Sequence, residues 1–379
     1  GRVTSPETSM SFDLSLAAVP MSLTALSRSF PALPVRGEFS GSLRVKGTSA
    51  NLAVTADLVG DAGRLEVDGT FDVSEPRYRA TARGSATGLD LRRFLARGDV
   101  PATTLAVRWS SDVSGDSLAN LRGAAELHMD RSLVDSVRVF GGDAHVRFLS
   151  GTMAVDSLTL ESAAFSASAR GLLALAPGRA GDSVSFHLVL DSLGGFRHAL
   201  AKSLAEADSG VVSDTSALEG TLRVDGAMGG AWPAVRLNAV ALGTDLRIGS
   251  TFARDVDASV RLSFPVDSLR GSVHARAEGL TVGGVRLDNI EATVEIPSPG
   301  QAVAELKAEL SNGPVATARA DVFWSRDTTA VRLDRFRLAT SDNDWALLSP
   351  ASISRTGSAW TVDSLVILGR TAGRISMRG

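Results

Sequence analysis

The sequence predicts an all-β protein organised as a long antiparallel sheet with two short helical inserts, and three observations carry that expectation. Roughly twenty segments alternate apolar and polar residues with period two, as strands do when one face is dry and the other wet. The phrase "VDSL" occurs at 155–158, 266–269 and 362–365, with relatives "VDSV" at 134–137, "LDSL" at 190–193, "LDNI" at 287–290 and "LDRF" at 333–336. Helical spacing is confined to two stretches.

Taken in order, residues 1–35 are expected to be lead-in strands and 36–205 a first block of sheet. Within it, "RLEVDGTFDV" sets Leu65, Val67, Phe71 and Val73 on one side. "GLDLRRFLARG" (88–98) places Leu91, Phe94 and Leu95 on one side of a helix expected over 89–97. "SVSFHLVLDSL" puts Val184, Phe186, Leu188 and Leu190 opposite Ser185, His187 and Asp191. A second helix is expected over 195–207, where Phe196, Leu200 and Leu204 recur at spacing four. The polar run at 206–217 reads as a linker or loop, and 218–379 as a second block. There "VDASVRLSFPV" aligns Val256, Val260, Leu262 and Phe264, and the same rhythm gives Val294, Ile296, Trp360, Val362, Leu365 and Ile367.

In "VDSL" the two apolar residues are three apart, so a regular strand would point them to opposite faces. A bulge or tight bend at Asp-Ser returns both to one side, and the two polar side chains can satisfy the backbone groups it frees. The competing reading is a common turn pair in a Ser-rich chain. "GSLRVKG" (41–47), "GTLRVDG" (220–226) and "GRISMRG" (373–379) share a second rhythm, read as strands closed by glycine at a turn. Irregular spacing and scarce Asn argue against a β-helix.

The 379 residues carry 39 basic and 42 acidic side chains, interspersed, which leaves no basic stripe for nucleic acid. No apolar run approaches the roughly 18 residues of a membrane helix. The start "GRVTSPETSM" has no signal-peptide succession, and the end lies in a strand-like phrase. The expectation is a segment of a longer protein whose anchor lies elsewhere. There is no cysteine, so no disulfide and no thiolate zinc site.

Catalytic strings are weak. "GDSL" (115–118) matches a nucleophile block of lipases, but no histidine follows an aspartate by three residues to activate Ser117, so a turn is the better reading. The five histidines form no HExxH pair, "SDNDW" (341–345) lacks the glycine and distal glutamate of a calcium loop, and "DGAMGGAW" (225–232) lacks a phosphate-loop lysine. "RGD" (97–99) is a chance string. The expectation is a protein that is not an enzyme and holds no cofactor or metal.

The phrase "DWALLSPASISRTGSAWTVDSLVILGRTAGRISMRG" (344–379), with "GTLRVDGAMGGAWPAVRLNAVAL" (220–242) and "ATGLDLRRFLA" (86–96), resembles the AsmA-like superfamily, especially its TamB group. That resemblance covers most of 36–379 as a rhythm of strands. It implies a strongly curved, repeat-like sheet, U-shaped in section, whose apolar groove takes phospholipid acyl chains. It also implies a periplasmic setting in a diderm bacterium, an inner-membrane anchor outside this segment, and an outer-membrane β-barrel partner at one end. The eighteen apolar residues named above, from Leu65 to Ile367, are the expected groove lining. The reading from a different class is a structural or binding β protein, such as an assembly factor for outer-membrane proteins or an adhesin segment.

Overall fold

Strand occupies 77% of the residues that the structure, a computed structural model, describes. Those residues are 2–4, 11–29, 35–74, 76–96, 100–135, 137–177, 183–196, 218–264, 269–311, 313–325, 328–356, 359–371 and 373–378. The chain divides into two compact units, Gly1–Leu188 with Gly229–Trp232, and Val189–Met228 with Pro233–Gly379. The division falls inside a strand, ahead of 206–217, which lies outside the described residues.

The first unit begins with β1 (Arg2–Thr4), β2 (Ser11–Ser22), helix α1 (Leu23–Ser29), β3 (Glu38–Thr48), β4 (Asn51–Gly60), β5 (Gly63–Asp72) and β6 (Tyr78–Leu89). Helix α2 (Leu91–Phe94) leads to β7 (Thr103–Gly115), β8 (Arg122–Met129), β9 (Ser132–Val134), β10 (Val137–Leu149), β11 (Thr152–Ser162) and β12 (Phe165–Ala174). Each strand pairs antiparallel with the next, except that β8 and β9 lie end to end between β7 and β10. Strand β13 (Ser183–Leu190) crosses the division, and a 3-10 turn, Leu193–Phe196, follows it.

The second unit holds most of β14 (Leu218–Ala231), then β15 (Ala234–Ile248), β16 (Thr251–Ser263), β17 (Arg270–Val282), β18 (Val285–Ser298), β19 (Gln301–Leu310), β20 (Val315–Trp324) and β21 (Thr328–Ala339). β22 (Asp344–Leu347) and β23 (Ala351–Thr356) both pair with β21. β24 (Ala359–Val362) pairs with β23, β25 (Leu365–Gly369) with β22, and β26 (Arg374–Met377) with β25. The long strands β15 to β21 form an uninterrupted antiparallel meander.

Directly paired residues share a face, so register separates dry from wet across each unit. In the first, one row reads Leu16, Leu43, Ala56, Val67, Gly84, Trp109, Leu127, Ala144, Leu158 and Ala169 from β2 to β12. The row beside it, on the opposite face, reads Ser15, Arg44, Thr55, Asp68, Arg83, Ser110, Glu126, His145 and Ser157. In the second, Ala239, Val260, Val273, Val294, Ala304, Ala320, Leu333 and Ala351 form a dry row.

The most extensive contacts among the described elements run between ladder neighbours, and α1 packs on β3 and α2 on β7. Buried apolar side chains are accordingly few and mostly small. Phe39 is the largest one that is fully buried, in a cluster with Leu23 and Ala62. Its ring meets Phe94 edge-on at 6.2 Å, and a second cluster of Ala86, Leu89 and Leu105 adjoins it. The two helices therefore close one end of the first unit's dry face.

The repeated phrases resolve into several devices. At 155–158, His145 pairs with Ser157 while Val146 pairs with Val155, which leaves Asp156 as the extra residue of a bulge. Val155 and Leu158 face Val146 and Ala144 on the dry side, and Asp156 is held by Arg147 at 2.5 Å on the wet side. Asp288 is the extra residue between Leu287 and Ile290, and Asp334 that between Leu333 and Phe336. At 134–137 the phrase turns a hairpin instead, with Asp135 at φ 53° and Val134 paired to Val137. At 362–365 it joins β24 to β25, and at 190–193 it ends β13. The copy at 266–269 lies outside the described residues apart from Leu269.

Three expectations are corrected. The segment 23–29, within the expected lead-in strands, is helical, because Leu23 packs against Phe39 and Ala62. The helix expected over 89–97 is a single turn. A bulge at Gly88 (φ 66°) carries β6 on to Leu89, which pairs with Leu105, and Asp90 then caps α2 by accepting from the Arg92 N–H. Over 195–207 only the end of the 3-10 turn is described. Finally, Gly41 and Gly47 do not close a turn; both lie within β3, with φ 146° and 121°. A side chain there would drive into β4: a Cβ on Gly41 would sit 2.0 Å from the Asp57 carbonyl oxygen. Gly41→Ala is expected to destabilise the first unit by more than about 2 kcal/mol, read from its denaturant midpoint, because both φ and space forbid the methyl.

Candidate functional site

The dry faces are the candidate site, and the expected lining residues can be placed on them one strand at a time. Leu65, Val67 and Phe71 sit on the dry face of β5, paired with Leu58, Ala56 and Leu52 of β4. Val73 lies just past the strand and is half exposed. Val184 is buried, and Phe186, Leu188 and Leu190 alternate with Ser185, His187 and Val189 along β13.

In the second unit Val256, Val260 and Leu262 pair with Ala277, Val273 and Gly271, and Phe264 extends the row by donating its N–H to Val235 O at 2.8 Å. Val294 and Ile296 complete it through Val273 and Gly271. Val362 pairs with Ile353, while Leu365 and Ile367 pair with Met377 and Ile375. Trp360 shares their side but is 66% exposed, with the Arg355 guanidinium 5.7 Å from its ring centre. Register thus gathers the second unit's residues on one face, and Leu65, Val67 and Phe71 on one face of the first.

Two features of these faces were not legible beforehand. Trp109 lies over Gly84, where a Cβ would come within 2.7 Å of the indole; the glycine makes room for the ring across the strand pair. Arg355 reads in the sequence as one arginine among many, and register alone puts it on the dry side.

The strings that could carry chemistry are occupied by local structure. The Ser117 hydroxyl donates to its neighbour Asp116 at 2.9 Å, and Asn120 donates to the same carboxylate, so the serine belongs to a turn. In 341–345, the Asn343 side-chain oxygen accepts from the N–H groups of Asp344 and Thr371, and Asp344 pairs with Arg337 at 2.7 Å. Among the described residues no cluster of three or more His, Asp or Glu side chains could hold a metal ion. None of the described helices is long and apolar enough to cross a membrane.

No family model matches this chain, and neither a curated protein nor a solved structure is significantly similar to it. Function is therefore a matter of what the two faces can do.

The wet face carries ion pairs between neighbouring strands: Arg79 with Asp112, Arg83 with Asp68, and Arg319 with Glu305. Its most developed cluster is on β7, β8 and β10. His128 Nδ1 meets Asp143 at 2.6 Å, Nε2 meets Asp130 at 3.3 Å, and Arg108 also pairs with Asp130. The hydrogen bond to Asp143 raises the His128 pKa above 6.5, against partial desolvation, while Arg108 holds the Asp130 carboxyl below its usual range. A raised folded-state pKa makes this contribution complete below the unfolded value and lost as pH rises through the folded one. An NMR titration should place His128 above 6.5, and Asp143→Asn should bring it down. An unchanged midpoint in that variant would refute the assignment of cause.

Proposed function

We propose that this protein is a conduit that carries phospholipid along its apolar face. The observation that supports this most is the dry row running unbroken from Leu16 through Val67 and Leu127 to Ala169, along which Leu16, Leu127 and Leu158 are exposed. Soluble proteins seldom leave so large an apolar surface without an occupant. Acyl chains match it: burial contributes about 0.8 kcal/mol per methylene, or on the order of 10 kcal/mol for a chain of fourteen. A wall of Ala, Val and Leu offers many nearly equal positions, which suits a cargo that slides better than one held in a closed pocket.

The resemblance to the TamB group supports the wider setting. In that setting the chain is part of a longer protein anchored in the inner membrane of a diderm bacterium. It would cross the periplasm and deliver lipid toward an outer-membrane β-barrel partner. The chemistry is transfer without bond-making, so no catalytic residue, cofactor or metal takes part.

The test is organic extraction of the purified protein and mass spectrometry of what comes off. Phospholipid should be recovered from the wild type. Leu262→Asp and Val294→Asp should each lower that recovery several-fold while keeping stability within about 2 kcal/mol of wild type, since a half-shielded face can hydrate a carboxylate. Loss of several kcal/mol in both would place these residues in a closed core and favour a structural β protein.

A further inference from the structure

Two neighbouring hairpins at one end of the second unit finish in the same way. "LRIGSTFA" (246–253) joins β15 to β16, and "LTVGGVRL" (280–287) joins β17 to β18. Each turns at glycine, with Gly249 at φ 58° and Gly283 and Gly284 at 55° and 81°. Each carries one arginine and no carboxylate. We propose that these two tips dock the protein on the surface of an anionic phospholipid bilayer, where their apolar side chains enter the headgroup layer and their arginines meet phosphate. The proposal goes beyond the conduit and does not need it, since a sheet can sit on a membrane whether or not it carries lipid.

Register is the first reason. Just inside the tips, pairing skips Asp245 opposite Arg254, and Gly279 opposite Asp288. Asp245 and Gly279 have positive φ, 51° and 61°, and the alternation is reset there. A Cβ on the dry-side Gly243 would meet the Leu246 side chain at 2.6 Å, so Leu246 returns to the dry face. Counting outward, Arg247 is on the wet face and Ile248 on the dry one. One wet rung therefore runs from Arg247 through Phe252 and Thr281 to Arg286. The last dry rung, at the very end of the strands, holds Ile248, Val282 and Val285.

Exposure and charge are the second. Ile248 is 38%, Val282 43% and Val285 51% exposed, so three β-branched side chains stand in water at the turning points. Arg254, just inward, is held by Asp255 and Glu278 at 3.3 and 3.8 Å, whereas Arg247 and Arg286 form no ion pair among the described residues. Arg247 lies 5.8 Å from the Phe252 ring centre, a cation–π contact that supplies no counter-charge. Asp245 and Asp288 lie inward of both arginines, and Asp288 accepts from the Ser311 hydroxyl at 2.7 Å. The outermost charges are thus both positive. An anionic bilayer offers phosphate and hydrocarbon within one layer, which is the pairing these tips present.

The chain has no cysteine, so Ser250→Cys at the first tip gives a single attachment point for an environment-sensitive dye. Pro299→Cys, in the turn between β18 and β19 at the other end of these strands, is the control. The full chain is mixed with vesicles of dioleoylphosphatidylglycerol and, separately, of dioleoylphosphatidylcholine. The tip label should shift to the blue on the anionic vesicles alone, and the control label on neither. Raising salt to about 0.5 M should weaken wild-type binding, a readout that needs no substitution in the docking residues. Arg247→Gln and Arg286→Gln should each weaken it about fivefold, the share of one cation at an anionic surface. Val282→Ser combined with Val285→Ser should weaken it at least as much. No shift on either vesicle, equal shifts on both, or equal shifts of the two labels would overturn the docking and leave the tips to a protein partner. Binding that both glutamine variants leave unchanged would overturn it as well. Lipid recovery on extraction is a separate readout: its failure would remove the conduit and leave the docking standing.

Discussion

Strict alternation along a hydrogen-bonded ladder is the constraint on which everything else here depends. Once two strands are in register, every residue on both is committed to a face, and the commitment passes to the next strand. A one-residue slip of β4 on β3 would carry Ala56 and Leu58 to water and bring Thr55 and Asp57 to the dry side. Strands of ten to fifteen residues in a twisted sheet cannot keep perfect alternation, so the chain inserts one extra residue where the pattern must be reset. Asp156, Asp288 and Asp334 are such resets, and Gly88 does the same work without a side chain. The carboxylates settle on the wet side, where Arg147 and Arg332 meet Asp156 and Asp334.

A sheet stabilised in this way draws on its neighbours rather than on a central core. The described strands touch the strands beside them, and the one large, fully buried side chain, Phe39, belongs to the end where α1 and α2 pack. Stability is then close to a sum of strand and nearest-neighbour terms, as in repeat proteins. That explains why glycines that let strands approach, such as Gly41, matter more than individual apolar contacts.

Much of the architecture was legible in the sequence because period two survives without knowledge of partners. The run 256–264 could be assigned both a conformation and a face before any pairing was known, and the three-apart apolar residues of "VDSL" correctly implied a bend that keeps both on one side at 155–158. What stayed illegible was decided across strands. "LTALSRS" carries too short a pattern to read as helix, and its conformation is set by the packing of Leu23 on Phe39. Gly41 and Gly47 resemble turn residues until the β4 backbone is placed against them. Arg355 and Trp324 are far apart in the chain, and their common row exists only through β21.

The wet face completes the logic of the proposed conduit. Its ion pairs are exposed, with the Arg83 side chain 78% accessible, so each contributes little to stability. Their effect is on sidedness. Opposite charges set across neighbouring strands favour the native register over a slipped one, and they make the slipped sheet costly because it would carry those charges onto the apolar side. The same pattern keeps charge off the dry rows that the proposed cargo would follow.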